Sequence, residues 1–395
     1  MKRPNFRMRT CATEAGPTFR FPESPVPMLI LLLCAGIFLL VIGAEALVRG
    51  ASQIATGVGI SPLVVGLTVV ALGTSAPELA VSVGSSLSGQ TELALGNVVG
   101  SNIFNVLFTL GLTAIVAPLA VSTQLVRLDV PLGIGAAVGT LLLALDGTIG
   151  RVDGAVLVTV LIVYIGFLVL KSRAESAGKG GSVDVAIPAR FGQPSTIGQW
   201  AINVGLVLGG LALLVLGARW IVAAAVEIAQ RLGVSELIIG LTIVAGGTSL
   251  PELATSVLAG IRGKREIAVG NVVGSNLFNL LAVLGLSAVV APSGVPVSDS
   301  VLWFDLPIMI ATAAACFPIF FTGQVIARWE GALFLGYYAA YTTYLFLATT
   351  QHDALSTFSA TMWLFVLPLT VLTLLVGALR AWESSSPDGG REASP

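Results

Sequence analysis

Two glutamates stand inside long apolar stretches, each within the same polar neighbourhood. The first stretch reads GLTVVALGTSAPELAVS (66–82) and the second GLTIVAGGTSLPELATS (240–256). Thr74, Ser75 and Glu78 fall at i, i+1 and i+4, and Thr248, Ser249 and Glu252 repeat that spacing. On a helix this gathers their oxygens on neighbouring turns. Pro77 and Pro251 immediately precede the glutamates, and a proline inside a span removes a backbone donor and frees carbonyl oxygens. Downstream, GNVVGSNIFN and GNVVGSNLFN add Ser101 with Asn105 and Ser275 with Asn279. The set is made of hard oxygens: carboxylates, amides, hydroxyls and carbonyls. Calcium takes 6–8 such ligands in forgiving geometry, and sodium accepts the same donors at lower charge. No His, Cys or Met belongs to the set, which argues against zinc or copper. Two glutamates within apolar segments call for a counter-charge, and a bound cation supplies one.

The elements that must position these groups come in two copies. Residues 59–118 align with 233–292 at a constant shift of 174 without a gap, and 37 of the 60 positions are identical. Apolar runs of spanning length predict ten membrane helices near 28–48, 60–86, 93–117, 126–145, 152–170, 198–222, 234–260, 267–291, 301–321 and 330–349, with an eleventh near 358–379. Five helices separate equivalent points, an odd number, so the second copy crosses the membrane inverted. Inverted repeats with interrupted helices mark secondary transporters whose site lies at the midplane. The expected fold is all-α: a polytopic membrane protein of two inverted five-helix halves, 28–170 and 198–349, plus an extra helix within 350–380. The continuous apolar runs exclude a β-barrel, which alternates in period 2.

Composition agrees. Of 395 residues 55% are hydrophobic and 10% charged, against about 25% charged in soluble domains. A net charge of −1 leaves no basic field for nucleic acid. Cys11, Cys34 and Cys316 have neither metal nor redox spacing. No cofactor, no enzymatic chemistry and no obligate protein partner is expected; the partners are the bilayer and the transported ions. Residues 171–197 form the one long aqueous connection, and 381–395 a disordered tail. Lys and Arg in the short loops place 171–197 on the cytoplasmic side: Arg49, Arg127, Lys171, Arg262, Lys264, Arg265 and Arg328 gather there, against Arg151 and Arg231 opposite. Residues 1–27 carry five basic residues on the wrong side of that count. They are read as an upstream extension, with translation starting at Met28.

At the GTSAPE and GTSLPE motifs, each followed by GNVVGSN-x-FN, the chain resembles the sodium/calcium exchanger family of the calcium:cation antiporter superfamily, in its bacterial form. The resemblance covers 28–349. It implies that the first helix of each half is a long gating helix sliding past a core. It also implies an ion site made by Thr74, Ser75, Glu78, Ser101, Asn105, Thr248, Ser249, Glu252, Ser275 and Asn279, with backbone oxygens of Ala71 and Ala245. Some members, potassium-coupled ones among them, carry Asp where this chain has Asn279. The 171–197 loop is too short for the regulatory domains of animal exchangers.

Other polar features have plainer readings. Gly96-x-x-x-Gly100 is helix packing. Glu45, Arg49, Asp129, Asp305 and Glu330 fall near predicted helix ends as interfacial or paired groups, and Arg219, at the position equivalent to Glu45, is a candidate ion-pair partner. His352 lies in a loop, so a histidine proton relay has no candidate. The expected function is Na+/Ca2+ antiport in a prokaryotic inner membrane. Proton/calcium antiport is the alternative, and a cation channel is a more distant one.

Overall fold

The apolar runs fold as helices, and a computed structural model describes residues 25–178, 196–232, 245–321 and 324–371. The tail 381–395, nearly all of the 1–27 extension and most of the 171–197 connection lie outside the described residues. In chain order the helices are α1 (Val26–Val58), α2 (Pro62–Thr74), α3 (Ala76–Leu87), α4 (Thr91–Val116), α5 (Leu125–Leu143) and α6 (Arg151–Gly178). The second half holds α7 (Ile197–Arg231), α8 (Ala245–Thr248), α9 (Leu250–Ile261), α10 (Arg265–Val290), α11 (Val301–Phe320) and α12 (Arg328–Thr349), followed by α13 (Ala354–Val371). Among the described residues eight helices are long and apolar enough to cross a membrane, and the bent pair α2–α3 makes a ninth. α12 has spanning length, at 22 residues, and carries four tyrosines.

α1 and α7 run well past their predicted ends at 48 and 222. Ser52, Gln53 and Thr56 continue α1 as a polar extension until Gly59, at φ 68°, takes the left-handed position that closes the helix. The two long helices pack antiparallel through glycines. Gly36 faces Gly217 and Gly43 faces Gly210 so closely that an added Cβ would lie 2.7–2.9 Å from the opposing carbonyl oxygen. Under the 174-residue shift Gly36 becomes Gly210 and Gly43 becomes Gly217, so this contact maps onto itself when the halves exchange. The same interleaving recurs farther along: Gly111 of α4 packs on Gly331 of α12, and Gly285 of α10 on Gly154 of α6.

Four two-residue strands tie the connections. β1 (Leu119–Ala120) pairs antiparallel with β4 (Val325–Ile326), and β2 (Thr148–Ile149) with β3 (Val295–Pro296). The first pair joins the α4–α5 and α11–α12 connections at one end of the bundle. The second joins α5–α6 to α10–α11 at the other end. These pairings are what opposed orientations of the two halves require. α4 and α10 form the centre, with 78% and 83% of their most apolar windows buried, while α1 and α6 are buried over 22% and 28% and turn most of their surface outward. α13 buries nothing in its window and is held by Tyr337, whose hydroxyl donates to Thr370 Oγ1 at 2.6 Å.

A cross-braced oxygen cage

Each half breaks a helix at a serine. α2 and α3 meet at 47° around Ser75, whose φ and ψ are −80° and 5°. α8 and α9 meet around Ser249, at −90° and 9°. The turn therefore lies two residues ahead of the proline. Pro77 and Pro251 occupy the second position of the following helix, where a missing N–H leaves no bond unmade. Ala71 O, one turn before the break, still accepts from Ser75 N at 3.0 Å. Ala245 opens α8, the counterpart segment. Glu78 and Glu252 stand in the first turns of α3 and α9, where the helix dipole favours a carboxylate.

Both serines sit where a hydroxyl commonly caps its own helix, and neither does so. They reach across instead. Ser75 Oγ donates to Glu252 Oε1 at 3.0 Å, and Ser249 Oγ donates to Glu78 Oε1 at 3.0 Å. Each half thus clamps the other half's glutamate. Ser275 Oγ adds a longer bond to Glu252 Oε1, 3.4 Å, and approaches Thr74 Oγ1 at 3.4 Å.

Glu78, Glu252, Thr74, Ser249, Asn105, Ser275 and Asn279 are fully buried, and Ser75 and Ser101 nearly so. Thr248 is half-buried. Neither carboxyl faces lipid. The second carboxylate oxygens, Glu78 Oε2 and Glu252 Oε2, have no hydrogen-bond partner among the described residues; nor do Ser101 Oγ or either amide end of Asn105 and Asn279. Buried polar atoms are nearly always paired, so this cluster of unpaired oxygens, repeated across both halves, fits a bound cation. Asn105 and Asn279 each open a π-helical segment, Asn105–Leu110 and Asn279–Leu284, a widening that often accompanies function. Among the described residues no group of three or more His, Cys, Asp or Glu could hold a metal. The cage depends on amides and hydroxyls as well as its two carboxylates.

Two residues outside the candidate set belong to the site's frame. Asn97 Nδ2 donates to Ser82 Oγ (2.9 Å) and Glu78 O (3.4 Å), and Asn97 Oδ1 accepts from Thr248 Oγ1 (3.3 Å). Asn271 does the same with Ser256 Oγ (2.9 Å), Glu252 O (3.3 Å) and Thr74 Oγ1 (3.1 Å). The signal for them was the duplicated GN of GNVVGSN, at the same 174-residue shift.

The four other acidic residues singled out in the sequence have partners within the fold. Glu45 pairs with Arg49 on its own helix and with Arg262 Nε at 2.8 Å, so the suggested pairing with Arg219 is not what engages it. Asp129 is fully buried and accepts from Tyr164 Oη at 2.9 Å; Asp305 accepts from Tyr341 Oη at 3.0 Å. Glu330 takes the Ala327 N–H at the start of α12, 2.7 Å.

Comparison with known proteins identifies the relatives of the chain. The family model described as "Sodium/calcium exchanger protein" matches residues 28–170 and 202–347. The putative antiporter CaxA of Alkalimonas amylolytica is 36% identical over 320 residues, covering 80% of this chain and 98% of the relative. The sodium/calcium exchanger MaX1 of Methanosarcina acetivorans is 32% identical over 349 residues, covering 81% and 99%. Among solved structures, the sodium-calcium exchanger NCX_Mj soaked with zero Na+ and Ca2+ superposes with a TM-score of 0.67 at 29% identity, covering 80% of this chain and 97% of that one.

Proposed function

The chain belongs to the sodium/calcium exchanger family, and from that premise we propose that it moves Na+ and Ca2+ in opposite directions through the cage between Glu78 and Glu252. It is an integral membrane cation/calcium antiporter, and no bond needs to be made or broken. The observation that carries the reading is the reciprocal crossing of Ser75 to Glu252 and Ser249 to Glu78, with the other oxygen of each buried carboxylate unpartnered among the described residues.

Each serine fixes one oxygen of a carboxylate and so aims the other inward. Thr74, Ser101, Asn105, Thr248, Ser275 and Asn279, with the carbonyls of Ala71 and Ala245, complete the ligand set. An uncompensated buried charge costs several kcal/mol, roughly, after relaxation. One Ca2+ neutralises both glutamates at once, and Na+ ions neutralise them singly. The two cargoes compete for the same oxygens, and an empty cage with two bare carboxylates resists crossing, which makes exchange obligatory. Three Na+ per Ca2+ would move one net charge, about 2.3 kcal/mol per 100 mV. Asn279 leaves two formal negative charges in the cage, which favours exchange without potassium.

The α1–α7 pair is held at close range by its facing glycines, with both backbone and side chains of the partner in contact, a tight unit suited to sliding as one against the core as access alternates. The Lys and Arg asymmetry supports a cytoplasmic 171–197 connection, and the bacterial relative supports an inner membrane.

The test is Ca2+ uptake into proteoliposomes with Na+, K+ and pH gradients varied independently. Uptake driven by a Na+ gradient and indifferent to K+ and pH is expected. Uptake that follows the pH gradient and ignores Na+ would make this a proton antiporter, and flux with no counter-ion would make it a channel.

A further inference from the structure

We propose that Asn97 and Asn271 are positioning residues that hold the two halves of the cage in register, each orienting a threonine hydroxyl of the opposite half toward the cation. The inference rests on the cage reading above and deepens it.

The asparagines near the site divide into two kinds. Asn105 and Asn279 have both amide ends unpartnered among the described residues, which suits the role of cation ligands. Asn97 and Asn271 use both ends within the protein. Their amide direction is fixed by chemistry. The carbonyl oxygen of Glu78 or Glu252 has no proton to give, so only Nδ2 can face it, which turns Oδ1 toward the threonine. Thr74 Oγ1 lies 3.1 Å from Asn271 Oδ1, nearer than Ala71 O at 3.3 Å or Ser275 Oγ at 3.4 Å, and Thr248 Oγ1 lies 3.3 Å from Asn97 Oδ1, so each amide oxygen is placed to take the threonine proton. With the hydroxyl proton drawn outward, the oxygen lone pairs are left for the cage. Remove the amide oxygen and the hydroxyl can swing its proton inward, where the O–H dipole opposes a cation.

Each asparagine is also a strut between halves. Asn97 grips the glutamate-bearing turn of α3 through Glu78 O and Ser82, and reaches the second-half break at Thr248. Asn271 grips α9 through Glu252 O and Ser256, and reaches the first-half break at Thr74. The main chain that carries one carboxylate is thereby tied to the hydroxyl facing it from the other half. Main-chain position and lone-pair direction are set by one side chain.

Double-mutant cycles on the full chain in detergent, read by equilibrium 45Ca2+ binding with Na+ as competitor, test this. Asn97→Ala and Thr248→Val each are expected to weaken Ca2+ binding about tenfold, as loss of a buried hydrogen bond does. The double variant is expected to lose little more than either single one. Asn97→Ala with Thr74→Val, which are not bonded, is expected to lose the product, about a hundredfold. Thr248→Ser keeps the hydroxyl and is expected to restore both affinity and coupling. Asn97→Ser serves should the alanine variant not fold. Equal additivity in bonded and unbonded pairs, with normal wild-type binding, would overturn the positioning role alone. Absence of Ca2+ binding by the wild-type chain would overturn the exchange reading instead.

Discussion

Gly43 of α1 and Gly210 of α7 approach until each lacks room for a single further carbon: a Cβ on Gly43 would sit 2.8 Å from Gly210 O, and one on Gly210 would sit 2.7 Å from Gly43 O. Both neighbours are main chain and cannot rotate away. Gly43→Leu is therefore expected to destabilise the protein by roughly 1–3 kcal/mol or more through overpacking, seen as a lower Tm in detergent. Gly205→Ala and Gly209→Ala on the partner helix α7 are the controls. A Cβ there meets nothing within 4 Å, and alanine favours the helix, so Tm is expected to hold or rise. Equal losses at all three positions would mean that the glycine contact does not carry the packing.

Glu78→Gln and Glu252→Gln test the charge rather than the shape of the cage. Glutamine keeps an oxygen to accept from Ser249 or Ser75, so the cross-bracing survives while one formal charge goes. Expression and folding are expected to persist and exchange to cease. In thermal unfolding, Ca2+ at about 100 times the wild-type Kd stabilises the wild type by about 2.7 kcal/mol, and this increment is expected to vanish in either variant. Normal flux in either would remove its glutamate from the ion path.

The cage was legible in the sequence because its chemistry is duplicated. A single Glu in an apolar run has many explanations; two within identical TS-x-PE settings have few. What the sequence hid was who touches whom. The Ser75 hydroxyl could equally have capped its own helix, and only the approach of the other half sends it to Glu252, 177 residues away. Asn97 and Asn271 were in view in the repeated motif, yet their roles rest on partners 151 to 197 residues distant. Asp129 does lie near the start of α5 and is paired, but nothing in its own segment announces that it is buried or that Tyr164, 35 residues later, is its donor. The helix ends at Val58 and Arg231 lie past the predicted ones because hydrophobicity marks where the bilayer stops, not where the helix does: α1 continues through Ser52, Gln53 and Thr56, and α7 through an alanine-rich turn to Glu227, Gln230 and Arg231.

The Glu45–Arg262 pair joins the long helix α1 to the C-terminal end of α9 at 2.8 Å. Its equivalents under the 174-residue shift are Arg219 and Ser88, which cannot form an ion pair. The contact thus exists in one half only, and motion of α1 against the core would have to break it. Exposed pairs are worth about 0–1 kcal/mol, so Glu45→Gln is expected to shift the balance between the two access states by up to about fivefold. The readout is apparent Ca2+ affinity measured separately from each side of oriented vesicles, whose ratio is expected to change. A ratio equal to wild type would leave the pair as a static surface contact.

Asn279→Asp asks how the cage sets its cargo. The amide at Asn279 opens a π-helical segment, is fully buried, and has both ends unpartnered among the described residues, so an isosteric carboxylate fits without repacking. It raises the formal charge from two negatives to three. A divalent ion then leaves one carboxylate uncompensated unless a further monovalent cation accompanies it. Ca2+ affinity is expected to rise about tenfold, a modest share of what a third buried charge exerts at short range. Turnover is expected to fall as release becomes limiting, and the reversal potential of exchange to move as an extra positive charge joins the cycle. Because Asn105 holds the corresponding position in the first half, Asn105→Asp is expected to act in the same direction. Calcium affinity and reversal potential that stay at wild-type values in both variants would place these amides outside the coordination sphere and return the ligand count to the glutamates and hydroxyls alone.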